Sequence, residues 1–145
     1  KPLPDYVLDA QPTMPFSYTP PLDGTLTSGF GWRENPNTGE EAFHTGLDLA
    51  ADEGTLFVCF ADGTVGVVGE STVLGKDLTV RHADGYETLY AHCSKITVSS
   101  GQSVLRGDTL GAVGATGNAT GAHLHFELLS GSKYLDPIAY AAKTV

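Results

Sequence analysis

Apolar and polar residues alternate with a period of two over short stretches of the chain, and no stretch carries the longer spacing of an amphipathic helix. Side chains two apart on a strand share a face, so the pattern predicts strands with one buried side. Asp62-Gly63 and Asp84-Gly85 lie between alternating runs as hairpin turns do. They predict paired strands at 55–61 with 64–69 and at 77–82 with 86–92. Further strands are expected at 25–31, 46–50, 109–115 and 123–129. Residues 136–142 (Asp-Pro-Ile-Ala-Tyr-Ala-Ala) read as one short helix with Asp136 as its N-cap and Pro137 at its first position. The expected fold class is mainly β, an antiparallel sheet core with short hairpins and little helix.

Six of the eight prolines fall within the first 21 residues. That density disfavours regular structure, so residues 1–21 are expected to form an extended lead-in, either lying on the domain surface or serving as a linker. One folded domain is expected over 22–145, a size that buries a core without help from metals or disulfides. The 18 glycines are spread along the chain, which points to a turn-rich globular protein.

A formal net charge of −9, with no run of Lys or Arg, excludes nucleic acid and anionic membrane surfaces as natural partners. No apolar stretch approaches a membrane span, and no charged-then-apolar leader opens the chain, so a soluble chain is expected. Beginning without Met, it reads as a mature or trimmed fragment from which an export signal and upstream segments have been removed. Cys59 and Cys93 sit in apolar, strand-like contexts. Buried free thiols are the first reading, and a mutual disulfide is the alternative.

Four of the five histidines fall in three short motifs: Phe43-His44-Thr45-Gly46-Leu47-Asp48, Tyr90-Ala91-His92 and Gly121-Ala122-His123-Leu124-His125-Phe126-Glu127. In a strand, His123 and His125 point one way while Leu124, Phe126 and Leu128 point into the core. If the chain around residue 46 is also extended, His44 and Asp48 share a face, Leu47 and Leu49 are buried behind them, and Gly46 leaves open space between the two donors. Imidazole and carboxylate donors without cysteine suit a catalytic zinc site, where three protein ligands leave a fourth position for water. Five candidate donors exceed that need. Two histidines left off the metal can handle protons and steady a developing oxyanion.

These motifs, in this order, resemble those of the lysostaphin-type or LytM-like zinc endopeptidases, which cleave peptide cross-links in peptidoglycan. The likeness runs from Thr27 to Pro137. It begins with Ser28-Gly29-Phe30-Gly31-Trp32-Arg33, passes through the H-x-x-x-D, Y-x-H and T-G-x-H-L-H-F-E patterns, and ends at Leu135-Asp136-Pro137. The resemblance implies a LytM-type, barrel-sandwich-like fold and one Zn2+ per chain, held by His44, Asp48 and His125. It makes His92 and His123 the two catalytic histidines that do not bind metal, without assigning which is the base. It also implies a monomer that acts on a peptidoglycan peptide in the cell envelope or outside the cell, with regulation by upstream domains. Cys93 and Ala122 depart from the leucine and proline common at their positions, which implies altered packing rather than lost activity. The 32–39 loop resembles the branch directed at stem-peptide cross-links more than the glycyl-glycine branch.

Other features carry plainer readings. Glu127 has the parity to support the site, or to be a solvated strand-end carboxylate. Arg33 reads either as an anchor for a substrate carboxylate or as half of an ion pair that fixes its loop. His82 matches no catalytic position and reads as a strand-end histidine. The Gly114–Gly121 run lacks a P-loop lysine and reads as a groove-lining loop. Two rival functions remain: a non-catalytic scaffold of the same family in an envelope or sporulation assembly, and a lipoyl or biotinyl carrier. The carrier is suggested by the glycine spacing at 101–111 and would need Lys76 at an exposed hairpin tip.

Overall fold

The computed structural model describes residues 1–35 and 38–142. Twelve strands follow one another: β1 (Thr25–Ser28), β2 (Gly31–Glu34), β3 (Glu41–His44), β4 (Leu47–Ala50), β5 (Leu56–Val58) and β6 (Gly63–Ser71), then β7 (Gly75–Arg81), β8 (Tyr86–Ile96), β9 (Ser103–Val104), β10 (Thr109–Val113), β11 (His123–Ser130) and β12 (Lys133–Leu135). One short helix, α1 (Ile138–Ala141), closes the described chain. A single antiparallel sheet runs in the order β1-β4-β11-β8-β7-β6-β9; β12 is added on β11, and β10 links β8 to β5. The mainly β, antiparallel expectation therefore holds. No helix among the described residues is long and apolar enough to cross a membrane.

Alternation explains the core. Leu124, Phe126 and Leu128 of β11 are fully buried, as are Leu47 and Leu49 of β4 and Leu78 and Val80 of β7. They meet Phe57, Phe60 and Tyr90 in one cluster. Each such side chain contributes roughly 1.5–3 kcal/mol by leaving water. The opposite faces of β4 and β11 are thereby held outward on a rigid base.

The hairpin at Asp84-Gly85 forms as expected: β7 pairs with β8, and Asp84 and Gly85 both take positive φ in the connection. The expected pairing of 55–61 with 64–69 does not form. β5 ends at Val58 and pairs with β10, while β6 pairs with β7 and β9. Cys59, Phe60 and Ala61 are all buried, so the alternation that a hairpin strand needs stops there. Gly63 serves another purpose, since a Cβ on it would stand 2.2 Å from the Arg81 carbonyl oxygen where β7 closes on β6.

The strand expected at 25–31 is divided in two, broken ahead of Gly31, whose φ of 119° only glycine adopts readily. Beyond the break, β2 and β3 form a separate two-stranded hairpin that the pattern did not predict. Pro36 and Asn37 of the 32–39 loop lie outside the described residues. The final helix starts one residue later than expected, with Pro137 at the N-cap, though the Asp136 carboxylate still accepts the Ile138 N–H at 3.0 Å.

The lead-in lies along this framework. Leu8 donates its N–H to the Tyr134 carbonyl, Tyr134 donates to that of Tyr6, and Met14 is buried. Trp32 Nε1 donates to the Pro2 carbonyl, and Lys1 pairs with Glu41 at 2.9 Å, so the first residues are tied to the β2–β3 hairpin. Both cysteines are free and buried. Lys76 is not a hairpin-tip lysine: it lies within β7 and donates to the Ser94 carbonyl at 3.2 Å, which removes the carrier reading.

Candidate metal centre and catalytic cleft

β4 and β11 are adjacent and antiparallel, with His125 opposite Asp48 and His123 opposite Ala50. Register alone therefore sets one histidine beside the carboxylate. The third donor comes from the end of β3, where the chain turns into β4 through Thr45 and Gly46. A Cβ on Gly46 would stand 2.3 Å from the Phe126 carbonyl oxygen and 3.0 Å from His125 Cε1. No open space exists there, contrary to the sequence reading. The glycine is required because the chain passes hard against β11, and that close passage brings His44 back toward Asp48.

Asp48 Oδ1 is the meeting point. His125 Nδ1 lies 2.9 Å from it, His44 Nε2 3.2 Å and His123 Nε2 3.7 Å. One donor atom each from His44, Asp48 and His125 fits within a span of 4.8 Å, a group able to hold a metal ion. Burial opposes ionisation of Asp48, yet hydrogen bonds from His125 and His44 hold its carboxyl well below the usual carboxylate range. For His125, burial acts to lower the pKa, but the hydrogen bonds to Asp48 and Glu127 push it up to about 9. Two carboxylates thus create a field that favours positive charge around one imidazole, which is also what a divalent cation requires.

The ring nitrogens are sorted by their partners. A carbonyl oxygen can only accept, so His44 Nδ1–H donates to Gly29 at 2.8 Å, His92 Nδ1–H to Thr116 at 2.7 Å and His123 Nδ1–H to Gly121 at 2.9 Å. Each of these rings keeps Nε2 for the cleft. His125 is held the other way round, with Nδ1 toward Asp48 and Nε2 donating to Glu127 Oε2 at 2.9 Å. Glu127 is nearly buried and also accepts the Thr45 hydroxyl at 2.7 Å. It is therefore not a solvated strand-end carboxylate. It fixes the tautomer of His125, as carboxylates behind metal-bound histidines do.

His92 reaches the cleft by breaking the strand pattern. β11 pairs with β8 as far as Ala91, β10 pairs with it from Cys93 onward, and His92 between them takes φ 64°, a left-handed conformation rare for a side chain of this size. This bulge turns the imidazole out, while Tyr90, Ala91 and Cys93 stay in the core. Its ring lies 4.7 Å from that of His123 and 6.1 Å from that of His125, centre to centre. Burial holds the His92 pKa below its ordinary value, and the nearby His123 and His125 act in the same direction, against the raising effect of the Thr116 carbonyl and of Asp48. A neutral imidazole at pH 7 follows, one able to accept a proton at Nε2.

All five residues line one cleft of about 570 Å³, whose lining also includes Arg33, Asn35, Val73, Leu74 and residues 118–120. Arg33 Nη1 donates to Ser28 Oγ and lies 4.0 Å from Asp48 Oδ2. His82 is elsewhere, buried with Nδ1 toward the Asp62 carbonyl and Nε2 2.8 Å from Thr88 Oγ1. Burial pushes the thiol pKa values up to about 11 for Cys59 and about 12 for Cys93, so neither is a nucleophile at neutral pH.

Comparison with known proteins agrees with this geometry. Residues 42–137 match peptidase family M23. The chain is 37% identical over 129 residues to the DD-carboxypeptidase/endopeptidase Mpg of Neisseria meningitidis serogroup B, covering 89% of this chain and 30% of that protein. It is 41% identical over 112 residues to the peptidoglycan DD-endopeptidase ShyB of Vibrio cholerae, covering 77% and 26%. A crystal structure of a zinc-containing peptidase from Vibrio cholerae superimposes with a TM-score of 0.79 at 38% identity, over 83% of this chain and 39% of that one. The chain thus spans less than a third of the length of these curated relatives.

Proposed function

This chain belongs to peptidase family M23, and from that premise we propose that it is a zinc endopeptidase which hydrolyses peptide bonds in the cross-links or stem peptides of peptidoglycan. One observation carries the reading: His44 Nε2, Asp48 Oδ1 and His125 Nδ1 converge, while the imidazoles of His92 and His123 border the same cleft. Two nitrogens and one carboxylate oxygen, with no thiolate, are the donor set of a hydrolytic zinc site. A zinc ion bound there supplies a Lewis acid that polarises a carbonyl and lowers the pKa of water.

The remaining work falls to the chain's own side chains. His92 and His123 carry the protons: Nε2 of one, in its neutral form, accepts the proton of the attacking water and passes it on to the departing amine, while the other, as an imidazolium with its second proton on Nε2, donates a hydrogen bond to the carbonyl oxygen as charge builds on it. Thr116 and Gly121 hold those rings by their Nδ1–H groups, so each nitrogen is already aimed before substrate arrives. Glu127 keeps Nδ1 of His125 turned to Asp48. The named activities of the relatives point to the cell envelope as the place of action, within a secreted or anchored protein.

Digestion of defined muropeptides with mass-spectrometric readout tests the proposal. Zinc-loaded protein is expected to release new amines at a peptide bond of the stem or cross-link, and His125→Ala to release none. Equal behaviour of the two proteins, or full zinc loading with no bond cut in any muropeptide, refutes it and leaves a scaffold role in its place.

A further inference from the structure

The cleft is acidic at its floor, with Asp48 and Glu127 both lining it, in a chain that carries 17 acidic and 8 basic side chains. Among the described residues that line it, Arg33 is the one Lys or Arg. Its placement follows from the β2–β3 register. Arg33 lies opposite Ala42, and Gly31 lies opposite His44, so these four share the face turned to the cleft. Trp32 and Phe43 form the other face, packed edge-to-face at 5.3 Å, with Tyr6 of the lead-in against Phe43. The aromatic face anchors the hairpin, and the small residues at 31 and 42 leave room around the guanidinium. The Arg33 side chain stays half exposed, at 51%, while Nη1 lies 4.0 Å from Asp48 Oδ2.

We propose that Arg33 binds a free carboxylate of the substrate beside the scissile bond, so that the enzyme prefers peptides bearing a carboxylate there over otherwise identical neutral peptides. The inference rests on the hydrolase reading above and names the substrate class for it. A guanidinium fork matches a carboxylate in two parallel hydrogen bonds. Its reach is short: one extended residue spans about 3.3–3.6 Å, so a carboxylate on Arg33 lies within one or two residues of a carbonyl at the His44–Asp48–His125 cluster. The same cleft is also lined by Val73, an aliphatic side chain 61% exposed at the tip between β6 and β7.

The test uses two synthetic stem peptides that differ only in a free carboxylate or a carboxamide next to the cleaved bond. Zinc-loaded wild type is expected to show a kcat/KM about 10- to 100-fold higher for the acid, the range of a hydrogen-bonded charge contact. Arg33→Gln should bring that ratio near one, and Arg33→Lys should keep part of it. The same pair, titrated as ligands by NMR, gives a readout independent of turnover. The acid should bind wild type at least about ten-fold more tightly than the amide, and Arg33→Gln should bind both alike. Equal handling of acid and amide by wild type overturns the proposal. So does an Arg33→Gln variant that slows both peptides by the same factor, the behaviour of a residue that only steadies Asp48. Cleavage of both peptides without preference leaves the hydrolase reading intact, so the two claims fail separately.

Discussion

Glu127 offers a sharp test of how the site is built, because sequence left it open between a supporting role and a solvated one. In the structure its carboxylate accepts from His125 Nε2 at 2.9 Å and from the Thr45 hydroxyl at 2.7 Å, and little of it is exposed. Glu127→Gln preserves shape and one acceptor oxygen while removing the charge. A charge-assisted hydrogen bond is about twice as strong as a neutral one, and loss of a partner behind a metal-bound histidine typically costs about 10- to 100-fold in metal affinity. That range corresponds to about 1.4–2.7 kcal/mol. Glu127→Ala should cost as much in affinity. It should also lower the stability of metal-free protein by about 1–3 kcal/mol, because a buried N–H and a hydroxyl lose their acceptor. Zinc affinity measured by competition with a chromophoric chelator, together with urea unfolding, supplies both numbers. Substitution of a solvated carboxylate would change either by no more than about 0.5 kcal/mol. A Glu127→Gln variant that binds zinc within about two-fold of wild type would refute the supporting role.

His92 takes a left-handed backbone at φ 64°, so His92→Gly should be more stable than His92→Ala by about 1 kcal/mol in urea unfolding, although both lose the imidazole. Equal stability would show that the bulge carries no strain. Both variants should lose about 10²–10⁴ in kcat if His92 carries protons. Burial lowers the His82 pKa below its unfolded value of 6.5, against the raising effect of its Asp62 and Ala61 contacts. Its contribution to stability is then full above pH 6.5 and is lost as pH falls below that value. Wild type should destabilise more steeply than His82→Gln between pH 6.5 and 5, and parallel curves would contradict the assignment.

What could be read before the structure divides along a physical line. Along β11, strict alternation sets Leu124, Phe126 and Leu128 on a fully buried apolar face and makes the shared opposite face of His123 and His125 readable. Paired strands also depend on partners distant in sequence. That β5 pairs with β10 rather than β6 follows from burial of residues 59–61, which a local turn signal at Asp62-Gly63 does not report. The Y-x-H motif points to His92 where parity does not, because the bulge at residue 92 breaks parity. A glycine between two donors is equally consistent with a gap and with a close approach, and the position of the Phe126 carbonyl decides for the close approach at Gly46. For Glu127 the i, i+2 spacing from His125 was the available signal, and only the depth of the site decided between its two readings.

The claim on which everything else depends is that one divalent ion is held between strands β3, β4 and β11. Anomalous scattering collected on either side of the zinc edge, from crystals grown with zinc at one equivalent, addresses it directly. A single strong peak is expected within bonding distance of His44 Nε2, Asp48 Oδ1 and His125 Nδ1, and it should vanish in Asp48→Ala. A peak that avoids these three atoms, or no peak in protein that retains the fold, would contradict the account.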